Sequence, residues 1–270
     1  MPASGMNPVL TLRHVDKTFG SARAGNAVQA LSDFSLTVHE GDFLSLLGPS
    51  GCGKSTALRL VAGLMQPTGG RIVWGGGKGG KPTAGDLGVV FQEPTLMPWA
   101  TVTDNVFLPF RLAGQGKAAV GDRIAEILSL VGLQGFERAY PRELSGGMKM
   151  RVSIARAMVT RPRLILMDEP FAALDEITRF KLNNDLLEMQ ARIGCTVVFV
   201  THSVFESVFL SNRIVVMAAR PGRQIAEIAV DEPYPRHEDF RTTPEYAAHC
   251  REASAALHSA MDAHPEREAA

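Results

Sequence analysis

The feature that most constrains this chain is a glycine-rich loop between an apolar run and a helical pattern. Residues 48–55 read Gly-Pro-Ser-Gly-Cys-Gly-Lys-Ser, which fits the pattern G-x-x-x-x-G-K-[ST]. The apolar run 43–47 precedes the loop, and a stretch with helical spacing follows it over 56–65. Because a strand, a tight loop and a helix in this order form one structural unit, the pattern predicts an α/β fold with a phosphate-binding loop.

The residue types in this loop indicate what it binds. Its glycines let backbone N–H groups face phosphate oxygens, the lysine adds a positive charge, and the serine hydroxyl is a suitable Mg²⁺ ligand. A glycine-rich turn that matches by chance is the alternative, and the flanking strand and helix make it less frequent. Cys52 has no neighbouring histidine and is interpreted as a small filler. The predicted nucleotide ligands are Gly48, Pro49, Ser50, Gly51, Cys52, Gly53, Lys54, Ser55 and Thr56.

Further apolar runs predict the remaining architecture. Short runs bounded by Gly or Pro favour buried parallel strands, and the amphipathic segments between them favour helices. The first forty residues contain two short runs with no helix between them, which indicates an antiparallel β subdomain. Residues 93–160 show helical patterns without a strand and predict an inserted helical subdomain. The predicted strands are 10–13 and 34–38 in the antiparallel part, and 43–47, 87–91, 164–167, 197–200 and 214–217 in the parallel sheet.

The domain prediction follows from these patterns. We expect one main domain over residues 8–230, containing the helical subdomain at about 93–160. Residues 231–270 form a C-terminal appendage, which we interpret as a solvated tail that includes a helix. The Gly- and Lys-rich stretch 74–86 is expected to be a surface turn.

Composition narrows the class of protein. Lys plus Arg and Asp plus Glu both number 28, so no overall positive field is available to hold nucleic acid. The chain has 3 cysteines at wide spacing, which suits neither a disulfide framework nor a C-x-x-C metal site and favours a reducing compartment. No apolar run approaches the length of a membrane-spanning helix, so we expect any membrane association to be through a partner.

Two acids follow one of the predicted strands. Asp168 and Glu169 come directly after an apolar run, and ligands of open α/β sheets lie at the carboxyl ends of strands. Asp168 is predicted to hold Mg²⁺, and Glu169 to polarise the attacking water as a general base. Surface acids at a strand end are the alternative. Gln92 and His202 also follow predicted strands, so we expect them at the same edge.

A second glycine turn opens a helical pattern at residues 144–147. These residues read Leu-Ser-Gly-Gly, and glycines before a helix expose backbone donors that favour an anion. We predict a second anion site at Ser145, Gly146 and Gly147. Simple helix capping by the serine is the alternative, because Ser-Gly-Gly before a helix is by itself a weak signal.

Taken together, the phosphate loop, Gln92, Leu-Ser-Gly-Gly, Asp168-Glu169, the Ala-Leu-Asp at 173–175 and His202 resemble the ATP-binding-cassette ATPases over roughly residues 8–230. The resemblance implies a head-to-tail homodimer, in which the Leu-Ser-Gly-Gly segment at residues 144–147, called the signature, of one subunit closes on ATP held by the other. It further implies that Gln92 contacts Mg²⁺ and the attacking water and senses the membrane partner, and that His202 holds the γ-phosphate. Asp175 is implied at the dimer seam, and Phe19 either stacks on adenine or is a core or staple aromatic.

A narrower similarity is to the nitrate, sulfonate and taurine importer subgroup. It is carried by residues 96–102, 143–148, 167–175 and 220–223. This implies a peripheral subunit at the cytoplasmic face of the inner membrane, working with a separate permease and an extracytoplasmic solute-binding protein. A non-transport ATPase of the same family and a nucleotide-sensing regulatory subunit are the alternatives. Two departures are Met150, where the family usually has Gln, and Ser203, where Asp is common.

Overall fold

The structure is a computed structural model that describes residues 8–20, 25–75 and 85–262. Its strands are β1 (Pro8–Phe19), β2 (Val28–His39), β3 (Phe43–Leu47), β4 (Gly69–Trp74), β5 (Leu87–Val90), β6 (Leu164–Asp168), β7 (Thr196–Thr201), β8 (Arg213–Ala218) and β9 (Arg223–Ala229). Its α-helices are α1 (Lys54–Val61), α2 (Val102–Leu112), α3 (Gly121–Leu130), α4 (Gly146–Met158), α5 (Glu176–Ile193), α6 (Val204–Leu210) and α7 (Pro244–Asp262). Short 3-10 helices occupy Lys117–Val120, Pro141–Glu143 and Glu238–Thr242.

The chain forms two compact units. The first unit contains the residues up to 81 and those from 198 onward, and the second contains residues 82–197. The stretch 93–160, for which a helical subdomain is predicted, lies within the second unit and contains α2, α3 and α4 with no strand. Most of the predicted surface turn 74–86 and the last residues of the predicted appendage, 263–270, lie outside the described residues.

The first unit contains an antiparallel sheet and part of a mainly parallel one. The antiparallel sheet has the order β2-β1-β4, and Leu10 and Leu12 of β1 pair with Val38 and Leu36 of β2. These four side chains are buried, because side chains two apart on a strand share one face. In the same unit the strand order is β7-β3-β8-β9, with β3 parallel to β8 and β8 antiparallel to β9. The predicted antiparallel subdomain and mainly parallel sheet are therefore confirmed.

Buried aromatic and aliphatic side chains form the core of this unit. All five residues of β3 are buried, and the rings of Phe43 and Phe199 lie 6.0 Å apart between centroids. A fully buried strand of this kind must be covered on both faces, and β3 accordingly reads as a continuous apolar run. The bounds predicted for it are those of the structure.

The second unit combines a parallel strand pair with four helices. Strands β5 and β6 are parallel neighbours, with Val90 opposite Met167. Helix α4 has a buried apolar face that includes Val152 and Ala155. Arg151, on the same helix, pairs with Asp185 of α5 and donates a 2.6 Å hydrogen bond to the carbonyl of Val131.

The C-terminal segment is not a solvated tail, and that interpretation was wrong. Helix α7 buries Tyr246, Cys250, Ala253 and Ala260, and it packs against α6 and β8. The Ala-rich sequence presents only a narrow apolar stripe, so the pattern did not indicate that this helix packs against the rest of the chain. Among the described residues, no helix is long and apolar enough to cross a bilayer.

Replacing Phe199 with alanine should strongly destabilise the first unit. Phe199 is fully buried against Phe43, so the substitution removes apolar contacts and leaves a cavity. We expect the free energy of unfolding to fall by about 3–5 kcal/mol, measured by urea denaturation. The matched control is Phe205→Ala, which removes an exposed ring and should change it by less than about 0.5 kcal/mol. Equal losses in the two variants would contradict the assigned core.

Candidate nucleotide site

The phosphate-binding loop folds around its own lysine. Strand β3 ends at Leu47 and α1 begins at Lys54, whose ammonium donates hydrogen bonds to the carbonyls of Gly48 at 2.7 Å and Pro49 at 3.0 Å. Lys54 is only 4% exposed. Gly51 and Gly53 have φ values of 78° and 94°, a region that side chains with a Cβ rarely adopt. The loop therefore holds a positive charge at the N-terminus of α1, where anions are favoured.

Neighbouring backbone closes tightly on the outside of this loop. A Cβ built on Gly53 would lie 2.8 Å from the carbonyl oxygen of Ala30, and one on Gly222 would lie 2.2 Å from that of Cys52. Gly222 donates a 2.9 Å backbone hydrogen bond to Ala30. Gly222 is thus a supporting residue of the phosphate loop that the sequence analysis did not assign to the site. In the sequence, the only feature that marked Gly222 was the Pro221-Gly222 pair, which by itself indicates a turn.

His202 and Phe19 lie in the same unit as the loop. His202 is exposed in the link between β7 and α6. Ser203, one of the two departures, caps α6 by accepting a 3.3 Å hydrogen bond from the backbone N–H of Glu206. Phe19 is 41% exposed at the end of β1, with the Lys17 ammonium 5.1 Å from its ring centroid. Phe19 is therefore not a core aromatic, and its stacking on adenine and its role as a staple both stay predictions.

In the second unit, Gln92 and the acidic pair share one edge of a strand pair. Because Val90 and Met167 are opposite each other in parallel strands, Gln92 and Glu169 both lie two residues beyond that pair. Asp168 and Glu169 are half-buried. Glu169 has a φ of 46°, unusual for a residue with a side chain, and its carbonyl accepts a 3.2 Å hydrogen bond from Ala172. Such strained backbone is concentrated at functional sites.

The signature and Asp175 meet at the start of α5. Ser145 caps α4 and accepts a 3.3 Å hydrogen bond from the N–H of Met148. A Cβ on Gly147 would lie 2.8 Å from the Thr178 methyl carbon, so these two segments pack closely. Asp175 caps α5 by accepting from the Thr178 N–H at 2.9 Å, and this hydrogen bond lowers the pKa of its carboxyl group. A larger residue at position 147 would therefore have to displace the Thr178 side chain.

Comparison with known proteins identifies the family. The family model described as ABC transporter matches residues 31–172. This chain belongs to the ABC transporter family. An ABC transporter ATP-binding protein of Methanocaldococcus jannaschii is 50% identical over 214 residues, covering 78% of this chain and 80% of that protein. A taurine import ATP-binding protein of Rhizobium johnstonii is 43% identical over 249 residues, covering 90% and 95%. An aliphatic sulfonates import ATP-binding protein of Bacillus licheniformis is 43% identical over 235 residues, covering 87% and 89%.

Solved structures agree with this assignment. A dimeric ATP-binding cassette in a post-hydrolysis state, bound to ADP and Pi, matches with a TM-score of 0.71 at 32% identity. The match covers 83% of this chain and 100% of that cassette. A second cassette, cbiO1 of Clostridium perfringens, has a TM-score of 0.74 at 23% identity, covers 94% of this chain and 97% of that chain, and supports the fold. The predicted family and cassette fold are therefore confirmed.

The other departure from the family pattern has a packing explanation. Met150 is buried in the second unit on the inner side of α4. A methionine fills such a site without needing a hydrogen-bond partner, whereas a buried glutamine amide would require one. In this ABC ATPase, position 150 therefore contributes to the core of the second unit.

Substituting Gly222 with alanine should weaken ATP binding. The added methyl group would clash with the Cys52 carbonyl, so the phosphate loop has to shift and its N–H groups lose their alignment. We expect the Kd for ATP, measured by isothermal titration calorimetry, to rise about tenfold or more. Gly116→Ala is the control, because no atom lies within 4 Å of a Cβ at that position. The ATP affinity of this variant should match that of the wild type. An unchanged Kd in Gly222→Ala would show that the loop tolerates the shift.

Proposed function

We propose that this chain is the ATP-hydrolysing subunit of an importer and acts as a homodimer on a separate membrane permease. The observation that carries the proposal is the intact signature, in which Ser145 caps α4 and Gly147 packs against the start of α5. A helix N-terminus with exposed backbone donors is suited to binding a phosphate group from a second subunit. The dimeric cassette with ADP and Pi bound supports a two-subunit arrangement.

In this proposal, nucleotide binding and catalysis use different parts of the chain. The loop from Gly48 to Thr56 binds the phosphates, with Lys54 supplying positive charge, and Phe19 stacks on the adenine. Ser145, Gly146 and Gly147 of the second subunit contact the γ-phosphate, and Asp175 lies at the seam between subunits. The local geometry of the loop supports its role, since it already holds Lys54 at the start of α1.

Hydrolysis requires a base, an activated water and charge neutralisation. Glu169 accepts the proton of a water whose oxygen attacks the γ-phosphorus, while the bond from that phosphorus to the bridging oxygen breaks and releases ADP and phosphate. His202 holds the γ-phosphate, and Gln92 orients the water. Ser55, Gln92 and Asp168 provide the oxygen donors that Mg²⁺ prefers and would hold the ion. Bound Mg²⁺ neutralises charge on the phosphates.

The loop after Gln92 is suited to contact a partner. Arg156 donates to the carbonyls of Pro94 and Thr95, each at 2.9 Å. Buried Asn105 donates to three carbonyls of residues 97–101 and accepts a 2.8 Å bond from the N–H of Met97. Between these anchors, Trp99 is 75% exposed. A rigid loop with an exposed tryptophan resembles the aromatic anchors of protein interfaces, and we propose that it docks on the permease.

The names of two relatives suggest the class of solute. Two relatives are named as importers of taurine and of aliphatic sulfonates, so we propose a small sulfonate-like or similar anionic solute. The permease would receive it from an extracytoplasmic solute-binding protein. The subunit itself would lie at the cytoplasmic face of the membrane, attached through the permease.

Replacing Glu169 with glutamine should abolish turnover but keep ATP binding. The amide cannot accept the proton of the attacking water, so kcat should fall by about 100-fold or more. ATP hydrolysis is measured with Mg²⁺, and gel filtration in ATP should show the variant accumulating as a dimer. Glu176→Gln, at an exposed position of α5, serves as control and should hydrolyse like the wild type. Turnover close to wild type in Glu169→Gln would refute the assigned base.

Replacing Trp99 with alanine should weaken permease binding and leave isolated hydrolysis unchanged. Removing the exposed ring takes away an interface anchor, and we expect a loss of about tenfold or more in affinity. Co-purification with the membrane permease of the source organism, together with ATPase activity of the isolated subunit, measures both effects. Phe136→Ala removes another exposed ring of the second unit and should bind normally. Undiminished co-purification of Trp99→Ala would count against this docking surface.

A further inference from the structure

Helix α6 is held at its C-terminal end by one arginine of the C-terminal segment. The last carbonyl groups of a helix have no partner within it. Arg236 donates from Nη1 to the carbonyls of Val208 at 3.0 Å, Phe209 at 3.0 Å and Ser211 at 2.8 Å. Its Nη2 donates to the carbonyl of Val230 at 2.9 Å. A single guanidinium group therefore satisfies the end of α6 and joins it to the chain that follows β9.

Two tyrosines of the same segment complete this arrangement. Tyr234 donates from its hydroxyl to the carbonyl of Leu210 at 3.3 Å, and Tyr246 of α7 donates to that of Phe205 at 3.2 Å. The guanidinium carbon of Arg236 lies 5.6 Å from the ring centroid of Tyr234 and 5.2 Å from that of Phe240. We call Tyr234, Arg236 and Tyr246 the α6 clamp.

The central residue of the clamp, Arg236, is both buried and charged. Arg236 is only 4% exposed, and burial lowers its pKa to about 10, so it remains charged at neutral pH. A positive charge at a helix C-terminus is favoured by the helix dipole. Lysine cannot replace this group, because one ammonium cannot present the planar fork of donors that reaches four carbonyls.

The other end of α6 leads directly to His202. Thr201, the last residue of β7, donates a 2.5 Å hydrogen bond to the carboxylate of Glu206 and accepts one from the N–H of Ser203 at 3.0 Å. His202 therefore lies in a two-residue link between a fixed strand end and the first turn of α6. Any shift of α6 has to move this link, because the helix begins at Val204, the residue directly after Ser203.

We infer that Arg236, with Tyr234 and Tyr246, positions His202 by fixing helix α6 on the C-terminal segment. Arg236 is a positioning residue and touches no nucleotide. The inference rests on the proposed role of His202 at the γ-phosphate. It assigns a part in hydrolysis to residues 231–262. This segment contains none of the predicted site residues.

The test compares Arg236→Lys with the wild type in two backgrounds, native His202 and His202→Ala. With His202 present, we expect kcat for ATP to fall about tenfold while KM changes by less than about twofold. In the His202→Ala background the same substitution should have almost no further effect, because the residue through which it acts is absent. Arg251→Lys, at an exposed position of α7, is the matched control and should behave like the wild type.

A spectroscopic measurement keeps the inference separate from the proposed function. In protein with ¹³C-labelled histidine, the ring signal of His202 is assigned by its loss in His202→Ala. Arg236→Lys should shift or broaden that signal and leave in place the signal of His14, which pairs with Asp33 in the antiparallel sheet. An unchanged His202 signal, or equal fold losses of kcat in both backgrounds, overturns the inference. If the wild type hydrolyses no ATP, the proposed function fails, and the His202 signal alone then decides whether Arg236 positions that ring.

Discussion

The hydrogen bonds from Lys54 to the carbonyls of Gly48 and Pro49 are the contacts on which the first unit depends for its chemistry. They place a buried ammonium at the N-terminus of α1 and shape the loop that leads from β3 into that helix. The arrangement is possible because Gly51 and Gly53 accept left-handed backbone and because Ala30 and Gly222 leave no room for a side chain behind the loop. The phosphate site is therefore defined from outside by residues far away in the sequence.

The second unit uses a different device to present its charged groups. Glu169 adopts left-handed backbone directly after β6, a conformation that costs a residue with a Cβ on the order of 1 kcal/mol. The turn is held by the hydrogen bond from Ala172 and by the buried ring of Phe171. With this backbone the chain turns directly after β6 instead of continuing as extended strand. Surrounding packing stabilises a local geometry that the sequence at that position does not favour.

Much of the fold followed from the sequence, for physical reasons that differ between elements. Strand β3 was predicted with its correct bounds because it is buried on both faces, and β5, β6, β7 and β8 were placed within one residue at each end. Strands β4 and β9 were missed because each has a single buried residue, Trp74 and Ile228, so neither shows an apolar pattern. Helix α1 was predicted to end at residue 65, four residues too late, since Gly63 in left-handed backbone terminates it soon after Val61. The predicted site residues rest on motifs with fixed spacing and stay predictions. Gly222 could not be found in this way, because its close approach to Cys52 exists only in three dimensions.

Arg236 shows most clearly why a charged residue near a chain end is difficult to interpret from sequence. Among prolines, histidine and acids it looks like part of a solvated tail, and charged residues are rarely buried without partners. Its partners are backbone carbonyls, which every residue has and no sequence pattern marks. A helix of seven residues such as α6 has few internal hydrogen bonds, so its stability must come from its surroundings. The guanidinium group supplies at one end what Ser203 supplies at the other, and α6 is therefore defined as much by the C-terminal segment as by its own sequence.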